Sequence, residues 1–163
     1  MKLGRTIITV GILFLLQASV VPFLFNGAVQ PNLILVFIAL FSLYIGGKAA
    51  MLTAILAGVV QDTVIGNFFG LHVFGYILIS FIFGLVRTEF EREQWPVSIA
   101  AAEAGTLLVL LSVSLVLWVS DQDFRFFSYV FHVAWIHFLF NAVLAIPGHA
   151  LVWSLKQEND YIW

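Results

Sequence analysis

Short breaks rich in glycine, proline or charge interrupt an otherwise apolar chain, and their spacing constrains the fold more than any other feature. The breaks fall at residues 22–32, 46–48, 61–70, 87–96 and 120–128. Because a membrane-spanning helix needs about 20 mostly apolar residues, the runs between the breaks predict six transmembrane helices. We place them near residues 6–25, 32–47, 49–65, 70–87, 96–119 and 128–154. Only Gly46, Gly47 and Lys48 separate the second helix from the third, which predicts a tight helical hairpin.

The composition independently indicates a membrane protein. Hydrophobic residues make up 62% of the chain and charged residues 10%, and the mean hydropathy of +1.06 exceeds that of soluble domains. The first apolar run, Ile7 to Phe25, is too long for a typical cleaved signal peptide, so we expect a retained helix. The predicted fold class is an all-α polytopic membrane protein, with residues 1–163 as a single integral membrane domain.

The positions of the charged residues predict an orientation and exclude one class of partner. The formal net charge is −2, and the basic residues are too dispersed to form a nucleic-acid surface. With six spans both termini lie on one side, together with Lys2, Arg5, Lys48, Arg87, Arg92 and Lys156. Only Arg125 falls on the opposite side. Because Lys and Arg accumulate in cytoplasmic loops, both termini are predicted to be cytoplasmic.

A ridge of small residues with one carboxylate is predicted to run along one helix that begins at the hairpin. Every fourth position from 46 to 70 belongs to it: Gly46, Ala50, Ala54, Gly58, Asp62, Gly66 and Gly70. Small residues at this spacing let helix backbones approach closely, and an acidic residue at membrane depth is retained only where something pairs with it. The ridge therefore predicts contact with protein, either inside the bundle or against a partner helix. Asp62 has a second interpretation, as a cap whose carboxylate accepts hydrogen bonds from the amides that open the fourth span.

Further polar residues fall inside the last two spans. Glu103 lies about two turns into the fifth span, and the sixth carries a stripe formed by His137, Asn141 and His149, with His132 beyond it. Depth along the helices pairs His132 or His137 with Asp62, and His149 with Glu103. This intramembrane polar network has two interpretations: hydrogen bonding between helices, which we favour, or a proton relay or ion path.

No pattern in the chain predicts catalysis, a metal site or a cofactor. His132 and His137 are five residues apart, not the four of a zinc-binding helix, and the chain contains no cysteine. Ser112 and Ser114 have no adjacent base, and hydroxyls in membrane helices commonly bond to their own backbone. No glycine-rich phosphate loop occurs. We therefore predict that the protein is not an enzyme.

Over its whole length the chain resembles the rod shape-determining protein MreD family, and the specific residues that carry the resemblance lie between about 31 and 80. Three groups of residues carry the resemblance: Pro31-Asn32 at the start of the second span, Gly58-Val59-Val60-Gln61-Asp62, and Gly66 with Gly70-Leu71. The length and the six predicted spans agree with that family. The resemblance implies that Pro31, Asn32, Gly58, Asp62, Gly66 and Gly70 contact a partner or shape the fold.

The resemblance also implies a function and a set of partners. It points to a non-enzymatic scaffold in the bacterial inner membrane that belongs to the cell-elongation complex and supports peptidoglycan synthesis and cell shape. Its partners would be the single-pass protein MreC and, through MreC, the MreB filament, the glycosyltransferase RodA and its transpeptidase, with membrane lipid around them. The implied fold is similar to the substrate-binding subunits of energy-coupling-factor transporters.

A small-molecule carrier is the rival interpretation. Such a protein would hold its ligand in a pocket near the outer face, lined by convergent polar or aromatic groups. The candidates for that lining are Gln61, Asp62, Asn67, His72, Trp118 and His132. The identity of any small-molecule ligand is not predicted.

Overall fold

The computed structural model describes residues 3–25, 29–64, 69–86, 95–120 and 134–160, and these residues form helices and no strand. The first helix, α1, comprises Leu3–Leu15, a π-helical turn at Leu16–Val20 and a last α-helical turn at Val21–Phe25. The others are α2 (Leu33–Tyr44), α3 (Gly47–Val64), α4 (Leu71–Val86), α5 (Trp95–Val119) and α6 (Trp135–Asp160). The predicted all-helical class is confirmed, and the helices occupy the six segments predicted from the apolar runs.

Among the residues that the structure describes, three helical stretches are long and apolar enough to cross a membrane. They are Gly4–Phe25, Trp95–Val119 and Trp135–Lys156, and they indicate a membrane protein. The 12 residues of α2 extend only about 18 Å, less than the roughly 30 Å of a hydrocarbon core. A complete crossing by α2, α3 and α4 stays a prediction.

The short helix α2 lies at the centre of the molecule. Every residue from Ile34 to Tyr44 is buried, and α2 packs against each of the other five described helices. Glycines allow two of these contacts to be close: a Cβ added to Gly105 of α5 would lie 3.1 Å from Ala39, and one added to Gly148 of α6 would lie 3.1 Å from Leu40. The core is therefore built around α2.

The predicted hairpin between α2 and α3 is present. Gly46 and Gly47 adopt left-handed conformations, with φ of 63° and 66°, which glycine reaches at little cost. The amides of Ile45 and Gly46 both donate to the Phe41 carbonyl at 3.0 Å, so the carbonyls at the end of α2 are satisfied inside the turn. The chain reverses here without a longer loop.

One end of the bundle carries all of the described Lys and Arg residues. Arg5 begins α1, Lys48 begins α3, and Lys156 lies near the end of α6. Thr6 and Ala49 line one cleft, and the rings of Tyr44 and Trp153 lie 6.0 Å apart, so these helix ends meet. We call this the basic end.

Candidate functional site

A non-helical segment, residues 29–32, precedes α2, and side chains from two helices, α1 and α6, bind its backbone. Gln17, in the π-helical turn of α1, donates from Nε2 to the Pro31 carbonyl at 3.1 Å and accepts at Oε1 from the Leu33 amide at 2.8 Å. In α6, Asn141 accepts from the Asn32 amide at 3.1 Å, and His137 Nδ1 lies 3.0 Å from the Gln30 carbonyl. Backbone groups that no helix satisfies therefore find side-chain partners.

Asn32 connects this segment to α4. Its side-chain oxygen accepts from the Leu35 amide at 2.9 Å and caps the first turn of α2. The hydroxyl of Tyr76, a fully buried residue of α4, lies 2.7 Å from Gln61 Oε1 and 3.2 Å from Asn32 Oδ1, and donates to the closer oxygen. A buried polar group that has no hydrogen-bond partner costs free energy. Each of these hydrogen bonds therefore stabilises the position of the helix whose side chain takes part in it.

The same chain of hydrogen bonds reaches α5. The Asn141 amide donates from Nδ2 to Thr106 Oγ1 at 2.9 Å, and that hydroxyl donates to the Ala102 carbonyl at 2.8 Å. We use the term polar hub for the 29–32 segment together with the side chains that bond to it or to one another around it. Those side chains are Gln17, Asn32, Gln61, Tyr76, Thr106, His137 and Asn141.

The hub therefore receives a side chain from each of the six described helices or their caps. It explains why Pro31 and Asn32 stand where they do: Pro31, which has no amide hydrogen to satisfy, is buried, and Asn32 caps α2. Non-helical backbone at membrane depth is tolerated where protein buries it. The arrangement favours one fixed packing of the helices over movement between them.

Asp62 closes the turn between α3 and α4. Its two oxygens accept from the backbone amides of Gly70, His72 and Val73 at 2.8 to 3.1 Å, and Oδ1 lies 2.7 Å from His72 Nδ1. The carboxylate is fully buried, and the His72 side chain is 22% exposed. The interpretation of Asp62 as a cap for the helix that opens after it is confirmed.

The small-residue ridge lies inside the bundle over its helical part. Ala50, Ala54 and Gly58 are buried, and a Cβ added to Gly58 would lie only 2.6 Å from Val73 Cα. The backbones of α3 and α4 therefore touch at Gly58. The prediction that the whole ridge follows one helix is wrong, because Gly46 and Gly70 have positive φ in turns.

Gly66 of the small-residue ridge and His132 of the predicted polar network lie outside the residues that the structure describes. So does Asn67, a candidate for the lining of the ligand pocket.

The predicted pairing of His137 with Asp62 and of His149 with Glu103 is wrong, and the alternative partner, His132, lies outside the described residues. Asp62 pairs with His72, whereas His137 binds the Gln30 carbonyl. His149 Nδ1 lies 2.7 Å from the Ser98 hydroxyl, and Glu103 Oε1 is buried with no hydrogen-bond partner among the described residues. The positions of these residues along their helices predicted which of them lie at the same depth. They could not predict which helices are neighbours.

His149 belongs to a second cluster, at the basic end. Ser98 Oγ bridges His149 Nδ1 and the Tyr44 hydroxyl, 2.7 Å from each. The His149 ring stacks on Trp153 with centroids 5.9 Å apart, and Lys156 Nζ lies 4.7 Å from the centre of that indole. This cluster joins the last turn of α2 to α5 and α6, as the hub does at the first turn.

Several residues of these two clusters were not predicted from sequence. Gln17 carries the one amide side chain in the first apolar run, and an amide inside a predicted span was a usable signal. Tyr76, Thr106 and Ser98 carry no comparable signal, because such side chains are common in membrane helices and often bond only to their own backbone.

The described side chains form no group of three or more potential metal ligands. The geometry of the polar hub is that of hydrogen bonds between helices.

Comparison with known proteins gives one match. The family profile described as rod shape-determining protein MreD matches residues 3–154. No curated protein and no solved structure matches the chain.

Proposed function

The chain belongs to the rod shape-determining protein MreD family, and on that premise we propose that it is a non-enzymatic scaffold of the bacterial cell-elongation complex. In this proposal it lies in the inner membrane with six spans and cytoplasmic termini, in a fold similar to the substrate-binding subunits of energy-coupling-factor transporters. It binds MreC and, through MreC, acts with MreB, RodA and the transpeptidase on peptidoglycan synthesis.

The extent of the family match is the observation that carries the proposal. Residues 3–154 include five helices in full and most of α6, so the match includes every helix that contributes to the polar hub. A hub that satisfies its own donors and acceptors supports a scaffold, because a scaffold needs a fixed surface and no reactive group.

The distribution of basic residues supports the proposed orientation. Arg5, Lys48 and Lys156 lie at the basic end, where the positive-inside rule would place the cytoplasm. Trp153, beneath Lys156 at the same end, suits the interfacial position that indole rings favour.

A small-molecule carrier receives less support from the same geometry. Two of its candidate pocket residues are used inside the chain, Gln61 by Tyr76 and Asp62 by the amides of α4. Trp118 is 77% exposed at the end of α5. Among the candidates that the structure describes, these three thus do not converge on an open polar pocket of the kind that ligand sites show.

Depletion of the protein in the bacterium that encodes it tests the proposed function. We expect rod-shaped cells to become round and the wild-type gene to restore rods. Gly58→Leu, whose side chain would collide with the α4 backbone, should fail to restore them. Gly84→Leu is the matched control, because a Cβ there meets nothing within 4 Å. Depleted cells that keep their rod shape but lose uptake of a nutrient would contradict the scaffold and favour the carrier.

A further inference from the structure

Glu103 is an acidic residue inside a membrane-spanning helix, and no described residue pairs with it. It follows Trp95, the first residue of α5, by eight positions, which is about 12 Å along a helix that is long and apolar enough to cross a membrane. Its Oε1 is buried without a hydrogen-bond partner, and no ion pair joins the carboxylate to another described residue. Because an ionisable residue at this depth is costly unless it is paired, it commonly marks a functional contact.

The Glu103 carboxylate differs from the other buried oxygens that have no partner among the described residues. Those are the hydroxyls of Thr6, Ser42 and Ser80. A hydroxyl can rotate towards a carbonyl of its own helix, as Thr106 does with Ala102. An ionised carboxylate only accepts hydrogen bonds, and the amides in the interior of a helix already donate to its own carbonyls. The helix that carries Glu103 therefore cannot satisfy it.

Glu103 lies at the edge of the face that α5 turns away from the bundle. Thr106, on one side of it, is buried and bonds to Asn141 of α6. On the other side four residues are exposed: Ala100, Ala104, Leu107 and Leu111. Glu103 itself is partly exposed, so a neighbouring chain can reach it. Alanines one turn apart also let the backbone of a second helix approach closely.

The described Lys and Arg residues are too far away to neutralise this carboxylate. The hydrogen bonds between α5 and α6 make the two helices antiparallel and place Glu103 level with Leu144. Lys156 is 12 residues farther along α6, about 18 Å at 1.5 Å per residue. Arg5 and Lys48 lie at the same end of the bundle as Lys156. A second copy of the chain in the same orientation would carry its described cations at that end too, so the opposite charge has to come from a different protein.

We propose that this face of α5 binds the transmembrane helix of a partner chain, which packs on Ala100 and Ala104 and pairs a lysine or arginine with Glu103. The inference rests on the proposed function and identifies the surface that the single-pass partner would use. Side chains of a helix tilt towards its N-terminus, so the carboxylate extends towards the basic end, where the positive-inside rule places the Lys and Arg residues of a partner as well. A lipid acyl chain would cover the alanines but brings no positive charge.

Crosslinking from this face identifies its occupant directly. A photoreactive amino acid replaces Leu107, which is 47% exposed one turn from Glu103. The matched variant carries it at Phe81 of α4, which is 55% exposed and lies at a similar depth, because Gly75 of α4 contacts Val109 of α5. With the MreC protein of the same organism co-expressed, we expect a crosslink to its transmembrane segment from position 107 and not from position 81. Crosslinks from position 107 only to lipid, only to a second copy, or no more to MreC than from position 81 would overturn the inference.

Removing the carboxylate separates failure of this inference from failure of the proposed function. Glu103→Leu should reduce co-purification of MreC by about threefold to thirtyfold, the range for one polar contact between membrane helices. Gly84→Leu, which lies on α4 and meets nothing within 4 Å, should leave co-purification unchanged. If the wild-type chain binds no MreC, the proposed function fails and this inference with it. If MreC binds the Glu103→Leu chain as well as the wild type, only this surface is wrong.

The stability of the isolated chain distinguishes a partner contact from a role in the fold. Without a partner Glu103 is an unpaired acid, so Glu103→Leu should leave the protein as heat-stable in detergent as the wild type or more so. A loss of heat stability together with MreC binding would assign Glu103 to the fold and overturn the inference.

Exchanging the charges tests the ion pair itself. Glu103→Lys should abolish co-purification, because two cations would meet in the membrane. Replacing the lysine or arginine of MreC nearest the crosslink with glutamate should restore at least a third of the wild-type yield. If no such exchange restores binding, the partner does not contribute a cation and the proposed pair is wrong.

Discussion

Asp62 illustrates how one carboxylate can order a turn. Its oxygens accept from three backbone amides and approach one imidazole nitrogen, so they replace the carbonyls that the first turn of α4 lacks. The spacing of Asp62, Gly66 and Gly70 was enough to predict a cap, because a turn and a new helix had to follow. The contact with His72 was not predictable, since it depends on the path of the intervening loop.

Asp62→Asn should therefore destabilise the protein even though the shape of the side chain is kept. An amide has one acceptor oxygen where the carboxylate has two, and its NH₂ group would face backbone donors. We expect the free energy of unfolding in detergent to fall by about 2 kcal/mol. His72→Ala should cost less, because the three amide contacts remain and His72 is partly exposed. Equal losses for the two variants would contradict this assignment.

The backbone contact between α3 and α4 at Gly58 can be tested by adding one methyl group. Gly58→Ala places a Cβ 2.6 Å from Val73 Cα and 2.9 Å from its amide nitrogen, so the backbones must separate. We expect a loss of about 1–3 kcal/mol in thermal or denaturant unfolding. The matched control, Gly84→Ala, should keep or raise stability, because its Cβ meets nothing and alanine favours the helix. A neutral Gly58→Ala would mean that the two helices are not in backbone contact there.

Among the elements, α2 and the segment before it determine how the other helices are arranged. The polar hub holds the first turn of α2, and the cluster of Tyr44, Ser98 and His149 holds the last. Between these two ends every residue of α2 is buried, which matches its uniformly apolar sequence. The apolar runs of the sequence predicted six helices. They could not predict that the shortest helix, α2, is central. A helix that is buried on all sides has no amphipathic pattern, so its sequence does not indicate which helices pack against it.

The hub can be tested one backbone amide at a time by hydrogen exchange. Asn141→Leu removes the acceptor for the Asn32 amide, and Gln17→Leu removes the acceptor for the Leu33 amide. Each variant should increase exchange at its own amide and should lower stability by about 1–3 kcal/mol. If both variants raise exchange equally at both amides, the two contacts do not act separately and the described geometry of the hub is wrong.

At the scale of the whole molecule the main prediction is the topology across the membrane. The chain contains no cysteine, so single cysteines report accessibility cleanly. A cysteine replacing Lys48 at the basic end should react with an impermeant thiol reagent only after the inner membrane is opened. One replacing Ser120, after α5, should react while that membrane is intact. Labelling of both positions from the same side would contradict the six-span orientation.

At the centre of the molecule the helices α2 to α6 are held together by the polar hub and by the cluster at the basic end. On the flank, partly buried hydrophobic residues of α1 pack against the core that these helices form. The sequence predicted the apolar, small-residue character of α3 but left open whether its ridge packs inside the bundle or against a partner helix. The structure buries Ala50, Ala54, Gly58 and Asp62 of that ridge inside the bundle.

Affinity purification of the chain co-expressed with its MreC protein, followed by mass spectrometry of the intact assembly, tests the scaffold claim most directly. We predict a stable complex of the two proteins that persists with Gly84→Leu and is lost with Gly58→Leu, whose side chain would collide with the α4 backbone. A chain that elutes alone and carries a bound small molecule would contradict the scaffold and identify the protein as a carrier.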